Sequence, residues 1–166
     1  VTPSPRVVLL IGVAGSGKTT VGKALSDALG WAFEDADDHH TVAARTKMRR
    51  GEGLTDRDRA PWLDRLAALI RRRVDEGPPT VLACSALKES YRDRLTDGQP
   101  RVLVAWLDVP REIIEARVAE RRGHYAGPSL VASQFAALEP PAEAFRLDGT
   151  AEVDALVERL RRRVAG

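Results

Sequence analysis

The sequence predicts an α/β domain built on a parallel sheet, and three observations carry the prediction. Short apolar runs alternate with segments of helical periodicity along the whole chain. The first run, Val7-Val8-Leu9-Leu10-Ile11, is apolar throughout, as a strand buried on both faces requires. It leads directly into Gly12-Val13-Ala14-Gly15-Ser16-Gly17-Lys18-Thr19, which fits the pattern Gly, four residues, Gly-Lys-Ser/Thr without a mismatch.

That glycine-rich turn sits between a strand expected from about Arg6 to Val13 and a helix expected from Lys18 to Leu29. Val21, Ala24, Leu25, Ala28 and Leu29 fall on one face of the helix, and Gly30 suits its C′ position. Strand, turn and helix N-terminus make an anion site. Glycines let main-chain N–H groups close around phosphate, and the helix dipole adds partial positive charge. Lys18 is expected to reach the β- and γ-phosphates of a nucleotide and the Thr19 hydroxyl to ligate Mg²⁺.

Trp31-Ala32-Phe33 reads as a short second strand, ending in Glu34-Asp35-Ala36-Asp37-Asp38-His39-His40. Acidic residues at the C-terminal end of such a strand stand where open α/β sheets bind ligands. In extended chain Asp35 and Asp37 share a face, one to serve the Mg²⁺ shell and one to meet an acceptor hydroxyl. The alternative is a solvated acidic turn. A zinc site at His39 and His40 lacks a nearby cysteine or third histidine.

From Thr41 to Val74 the pattern is helical, with Leu63, Leu66, Ala67, Ile70 and Val74 as one stripe. Pro61 is tolerable there only in a first turn. The preceding stretch from Lys47 to Arg59 is long, cationic and rich in turn formers. Lys47 and Arg59 are candidate anion contacts, whereas Arg49, Arg50 and Arg57 read as a solvated face. Gly77-Pro78-Pro79 introduces a third strand, Thr80 to Ser85, which ends without an acid, so Mg²⁺ help must come from elsewhere. A helix follows from Ala86 to Leu95. Its Arg92 suits a bidentate carboxylate contact or an ordinary surface ion pair, which position alone does not separate.

Arg101 to Leu107 is the fourth strand, and Pro110 opens a helix marked by Ile113, Ile114, Arg117 and Val118. It runs into Arg121-Arg122-Gly123-His124-Tyr125-Ala126-Gly127-Pro128-Ser129, where cations flanked by glycines suggest a lid over the transferring phosphoryl group. A helix through Val131 and Phe135, a fifth strand Ala144 to Asp148, and a closing helix on Val153, Leu156, Val157, Leu160 and Val164 complete the pattern.

The totals exclude several classes. The 166 residues suit one domain, with residues 37–74 as a substrate-binding insertion and 121–140 as the lid. A net charge of +2 without a clustered basic face makes no case for nucleic acid. No apolar run approaches the roughly 20 residues a membrane helix needs. The lone Cys84 rules out an internal disulfide and fits a reducing, cytoplasmic setting.

The chain resembles the bacterial-type gluconokinases, a family of small phosphate-loop kinases. The resemblance rests on the phosphate loop, on Phe33 to Asp37 with His40, and on Lys47-Met48 with Gly51, Leu54, Asp56, Asp58-Arg59 and Pro61-Trp62-Leu63. It rests further on Cys84 to Lys88 with Tyr91-Arg92-Asp93, on Gly123-His124-Tyr125, and on Ser133-Gln134-Phe135 with Leu138-Glu139-Pro140. Ala36 and Gly53 depart from the family's glycine and proline, and Thr41 and Thr46 from its proline and asparagine. The resemblance implies a P-loop NTPase fold of nucleoside-monophosphate-kinase type, a three-layer sandwich with a five-stranded parallel sheet and helical lid. It implies ATP-dependent phosphorylation of D-gluconate at its terminal hydroxyl, Mg²⁺ as cofactor, and a homodimer. On that reading Lys18, Asp37 and Arg122 are catalytic, with Asp37 taking the hydroxyl proton. Gly12, Val13, Ala14, Gly15, Ser16, Gly17, Lys18 and Thr19 bind ATP, and Thr19 and Asp35 hold the metal. Asp37, His40, Lys47, Arg59, Arg92, His124 and Gln134 bind the substrate. Another small phosphate-loop kinase, such as a shikimate kinase, or a catalytically silent ATP-binding module remain the alternatives.

Overall fold

In the computed structural model, which describes residues 2–121 and 128–166, five parallel strands form one sheet in the order β2-β3-β1-β4-β5. The strands are β1 (Val7–Ile11), β2 (Ala32–Asp35), β3 (Thr80–Ala83), β4 (Val102–Asp108) and β5 (Phe145–Asp148). The helices are α1 (Lys18–Leu29), α2 (Val42–Arg49), α3 (Asp56–Asp75), α4 (Glu89–Thr96), α5 (Arg111–Glu120), α6 (Pro128–Ala137) and α7 (Val153–Ala165).

β1 is central and buried at every position, which is why its sequence is apolar without alternation. The period of two still sorts its side chains between two cores. Val7, Leu9 and Ile11 pack with Trp62, Leu63, Leu66 and Ile70 of α3 and Tyr91 and Leu95 of α4. Val8 and Leu10 pack with Val21 and Leu25 of α1 and Leu156 and Leu160 of α7. A third cluster lies at the C-terminal edge of the sheet, where Val13, Leu87, Val109, Ile114 and Val131 join α5 and α6 to the loops. Fully burying one such aliphatic side chain stabilises the fold by about 1.5–3 kcal/mol. The three-layer sandwich and its five-stranded parallel sheet thus follow the sequence pattern.

Several local expectations need correction. The chain from Thr41 to Val74 is two helices, because Gly51 takes φ 73° and residues 50–55 leave the helix. α3 starts at Asp56 with a capping box, Thr55 and Asp58 each accepting from the other's main-chain N–H. Pro61 therefore lies in the second turn rather than the first, leaving one main-chain carbonyl without its helical donor. α4 begins at Glu89 rather than Ala86, since Ala86 has φ 40° and cannot be helical.

Candidate active site

The phosphate loop joins β1 to α1 at the C-terminal edge of the sheet. Gly15 and Gly17 adopt φ 84° and 97°, a region that favours glycine. At Gly12 the constraint is space: a Cβ would lie 2.6 Å from Ser16 Oγ and 3.1 Å from the Leu107 carbonyl. Lys18 Nζ donates to the Gly12 and Val13 carbonyls, each at 2.9 Å. Burial holds the Lys18 pKa below its usual value, opposed by Cys84, Asp37 and Asp35. Lys18 and the two carboxylates thus lie within electrostatic reach of one another, on loops that leave the same edge of the sheet. Cys84, at the end of β3, is buried and its thiol is pushed up to about 12, so it stays an inert neighbour.

Asp35 and Asp37 reach the cleft differently from the extended-chain expectation. Asp35 ends β2, and the chain turns at once into a 3₁₀ turn, Ala36–His39. Asp35 Oδ1 accepts from the Asp37 N–H at 3.0 Å, so the first carboxylate fixes the turn that carries the second. The Asp37 side chain is 83 % exposed, yet the surrounding cleft displaces enough bulk water to raise its pKa. The Asp35 charge adds to that rise and Lys18 opposes it. Ala36, which departs from the family's glycine, turns its methyl into the core, where it is 1 % exposed and joins the cluster beneath α3.

His40 is 8 % exposed and stacked on Trp62, with centroids 4.4 Å apart and planes at 10°. The Trp62 indole donates to the Ala36 carbonyl at 2.6 Å, tying α3 to the acidic turn. Burial, with Arg59 and Arg45 nearby, pulls the His40 pKa down to about 4, so the ring is neutral at pH 7. Its Nε2 is 3.9 Å from Asp37 Oδ1, and its buried Nδ1 has no hydrogen-bond partner among the described residues.

The predicted substrate residues separate into two groups. Asp37, His40 and Arg59 come together; Arg59 Nη1 donates to the Tyr91 hydroxyl at 3.4 Å and its guanidinium lies over that ring. The hydroxyl of Tyr91 in turn donates to Asp56, which also takes Lys88 Nζ at 3.3 Å. Lys47 is engaged elsewhere, in an ion pair with Asp58 at 2.9 Å. Arg92 needs correction: it is 7 % exposed, and both terminal nitrogens donate to the carbonyls of Ala86, Leu87 and Glu139. Gln134 accepts through Oε1 from the Ala14 N–H at 2.9 Å, so it meets the phosphate loop. Arg122 and His124 lie outside the described residues.

Arg117, expected only as a helix residue, reaches the phosphate loop. Its guanidinium in α5 donates to the Gly15 carbonyl at 3.2 Å and to the Gly149 carbonyl at 3.3 Å, joining the phosphate loop to the turn after β5. In sequence it reads as one more arginine on a charged helix, and no motif marks it.

Among the described residues no group of three or more His, Cys, Asp or Glu could cage a metal. Mg²⁺ keeps several waters and binds through one or two protein oxygens with substrate phosphates. Thr19, in the first turn of α1, and the carboxylates of Asp35 and Asp37 offer only hard oxygen donors.

Comparison with known proteins decides the family. A family model described as an AAA domain matches residues 7–141. A probable gluconokinase of Mus musculus is 45% identical over 155 residues, covering 83% of this chain and 84% of that one. The gluconokinase of Gluconobacter oxydans is 39% identical, covering 94% and 89%. The chain belongs to the gluconokinase family. The crystal structure of a gluconokinase from Sinorhizobium meliloti superposes with a TM-score of 0.85 at 32% identity, covering 99% of this chain and 93% of that one. The acidic turn carries His40, stacked on Trp62 of α3, and Arg59 of α3 lies over the Tyr91 ring of α4, so these groups form one wall.

Proposed function

We propose that this chain transfers the γ-phosphoryl group of ATP to the terminal hydroxyl of D-gluconate, giving 6-phosphogluconate and ADP, as a cytoplasmic enzyme. What supports the reading is an intact phosphate loop after β1 and the Asp35–Asp37 turn after β2, both at the C-terminal edge of one parallel sheet, inside a gluconokinase-family chain.

Phosphoryl transfer demands positioning and charge neutralisation more than covalent chemistry. Backbone N–H groups of Gly15 to Thr19 and the α1 N-terminus hold the phosphates. Lys18, on a flexible stem that reaches the Gly12 and Val13 carbonyls, swings to the β- and γ-oxygens when ATP binds. Thr19 and Asp35 would hold Mg²⁺, which when bound neutralises charge between the β- and γ-phosphates. Asp37, its pKa raised, orients the acceptor hydroxyl and accepts its proton. Neutral His40 donates or accepts a hydrogen bond to a substrate hydroxyl, and Arg59 meets the carboxylate of the sugar acid. Lys47, occupied by Asp58, acts by shaping the wall. The expectation that Arg122 and His124 meet the γ-phosphate falls on residues outside the described ones. Two such chains form the homodimer.

Acceptor-dependent ADP release measured across gluconate, shikimate and nucleoside monophosphates tests the proposal. Gluconate should dominate by orders of magnitude. Preference for shikimate, or ATP binding without any acceptor-dependent turnover, would overturn it.

A further inference from the structure

We infer that Arg92 and Glu139 form a brace that locks the acceptor-side turn to helix α6, and that α6, through Gln134, sets the phosphate loop against the acceptor wall. The inference concerns how the proposed phosphoryl transfer is aligned, and so rests on that reading for its kinetic part.

The turn between β3 and α4 is an awkward piece of chain. Ala86 takes φ 40°, a left-handed conformation that a non-glycine residue holds only when its surroundings insist. Arg92 supplies the insistence. Its Nη1 donates to the Ala86 and Leu87 carbonyls, both at 2.9 Å, and its Nη2 to the Glu139 carbonyl at 2.7 Å. Glu139 completes the connection from the other side. Its N–H donates to the Leu87 carbonyl at 2.9 Å, and its Oε1 accepts from the Glu89 N–H at 3.1 Å. Lys88, the N-cap of α4, makes no side-chain cap bond, so a residue fifty positions away caps that helix. One α6 turn earlier, Gln134 takes the Ala14 N–H of the phosphate loop. Val13, Leu87 and Val131 share one buried cluster, against which Phe135 and Leu138 pack. Donor loop and acceptor turn thus touch the same short helix. A guanidinium fork spans three carbonyls in fixed directions, which a lysine ammonium does not reproduce. Arg92 is therefore a positioning residue rather than a carboxylate ligand.

The test compares Arg92→Lys, Glu139→Ala and Glu139→Gln by native-state hydrogen exchange and by steady-state kinetics. Arg92→Lys and Glu139→Ala should speed exchange at Glu89 and also at the distant Ala14 amide, by on the order of tenfold. Glu139→Gln keeps an acceptor oxygen and should exchange like the wild type. In turnover the first two should lower kcat by on the order of 10- to 100-fold, with the acceptor KM little changed. If Ala14 exchange is unchanged in both Arg92→Lys and Glu139→Ala, the brace is wrong. A raised gluconate KM at intact kcat in Arg92→Lys alone would return Arg92 to the role of carboxylate ligand. The exchange measurement needs no acceptor, so wild-type inactivity towards gluconate would defeat the proposed function and leave the brace decidable.

Discussion

His40 shows how a single buried ring ties function to stability. Its pKa falls from the ordinary 6.5 to about 4 in the folded chain. Between those values the unfolded chain binds a proton that the folded chain does not, so stability rises with pH across the window. The contribution is complete above pH 6.5 and is lost as pH falls towards 4, at most about 3 kcal/mol. Denaturant melts between pH 4 and 7 should show this slope, and His40→Asn should flatten it. In the proposed transfer Asp37 takes the hydroxyl proton. Asp37→Asn should cost about two to three decades in kcat with ATP binding retained, and near-wild-type turnover would refute the base assignment. Because its pKa is raised, kcat/KM should fall on the acid side above the ordinary carboxylate range near 3.8, and that limb belongs to a group that must be deprotonated. The types and positions of Lys18, Asp35, Asp37 and His40 were legible in the sequence, since each sits at a motif. The burial of Arg92 was not, because its three partners are main-chain carbonyls that no residue pattern announces.

At the scale of elements, local sequence chemistry predicts well where the partners are local. α1 begins at Lys18 and ends at Leu29 as its stripe and Gly30 indicate. The capping box of α3 is written in Thr55 and Asp58, and Thr55→Ala should destabilise the chain by about 1 kcal/mol in a denaturant titration. The split between α2 and α3 was harder to see, since a charged run with Gly51 and Gly53 reads equally as a frayed helix or a loop. Trp62 binds α3 to the acidic turn through its indole N–H, and Trp62→Phe keeps most of the ring while removing that bond. The Ala36 carbonyl would lose its donor, at about 1–3 kcal/mol. Misplacement of Asp37 should then lower kcat more than it changes the ATP KM.

For the whole molecule, the five parallel strands and the helices between them were legible as apolar runs and helical stripes, whereas the order β2-β3-β1-β4-β5 comes from how the helices pack on the two faces. The site was legible in its donor half, where one contiguous loop carries the chemistry. The proposed acceptor half draws on β2, α3 and the β3–α4 turn, and distances between them are a property of packing. Gly12 is critical to the donor half: Gly12→Ala would force a Cβ against Ser16 and the Leu107 carbonyl, and ATP binding measured by calorimetry should weaken at least about tenfold. The central claim is that Lys18 and Asp37 pass one phosphoryl group from ATP to one sugar-acid hydroxyl. Its most direct test is ³¹P NMR of the reaction of the purified chain with ATP, Mg²⁺ and D-gluconate. The account predicts a phosphate monoester on the terminal carbon, formed mole for mole with ADP and lost in Asp37→Asn. ADP formed with inorganic phosphate alone, or a monoester at another carbon, would contradict it.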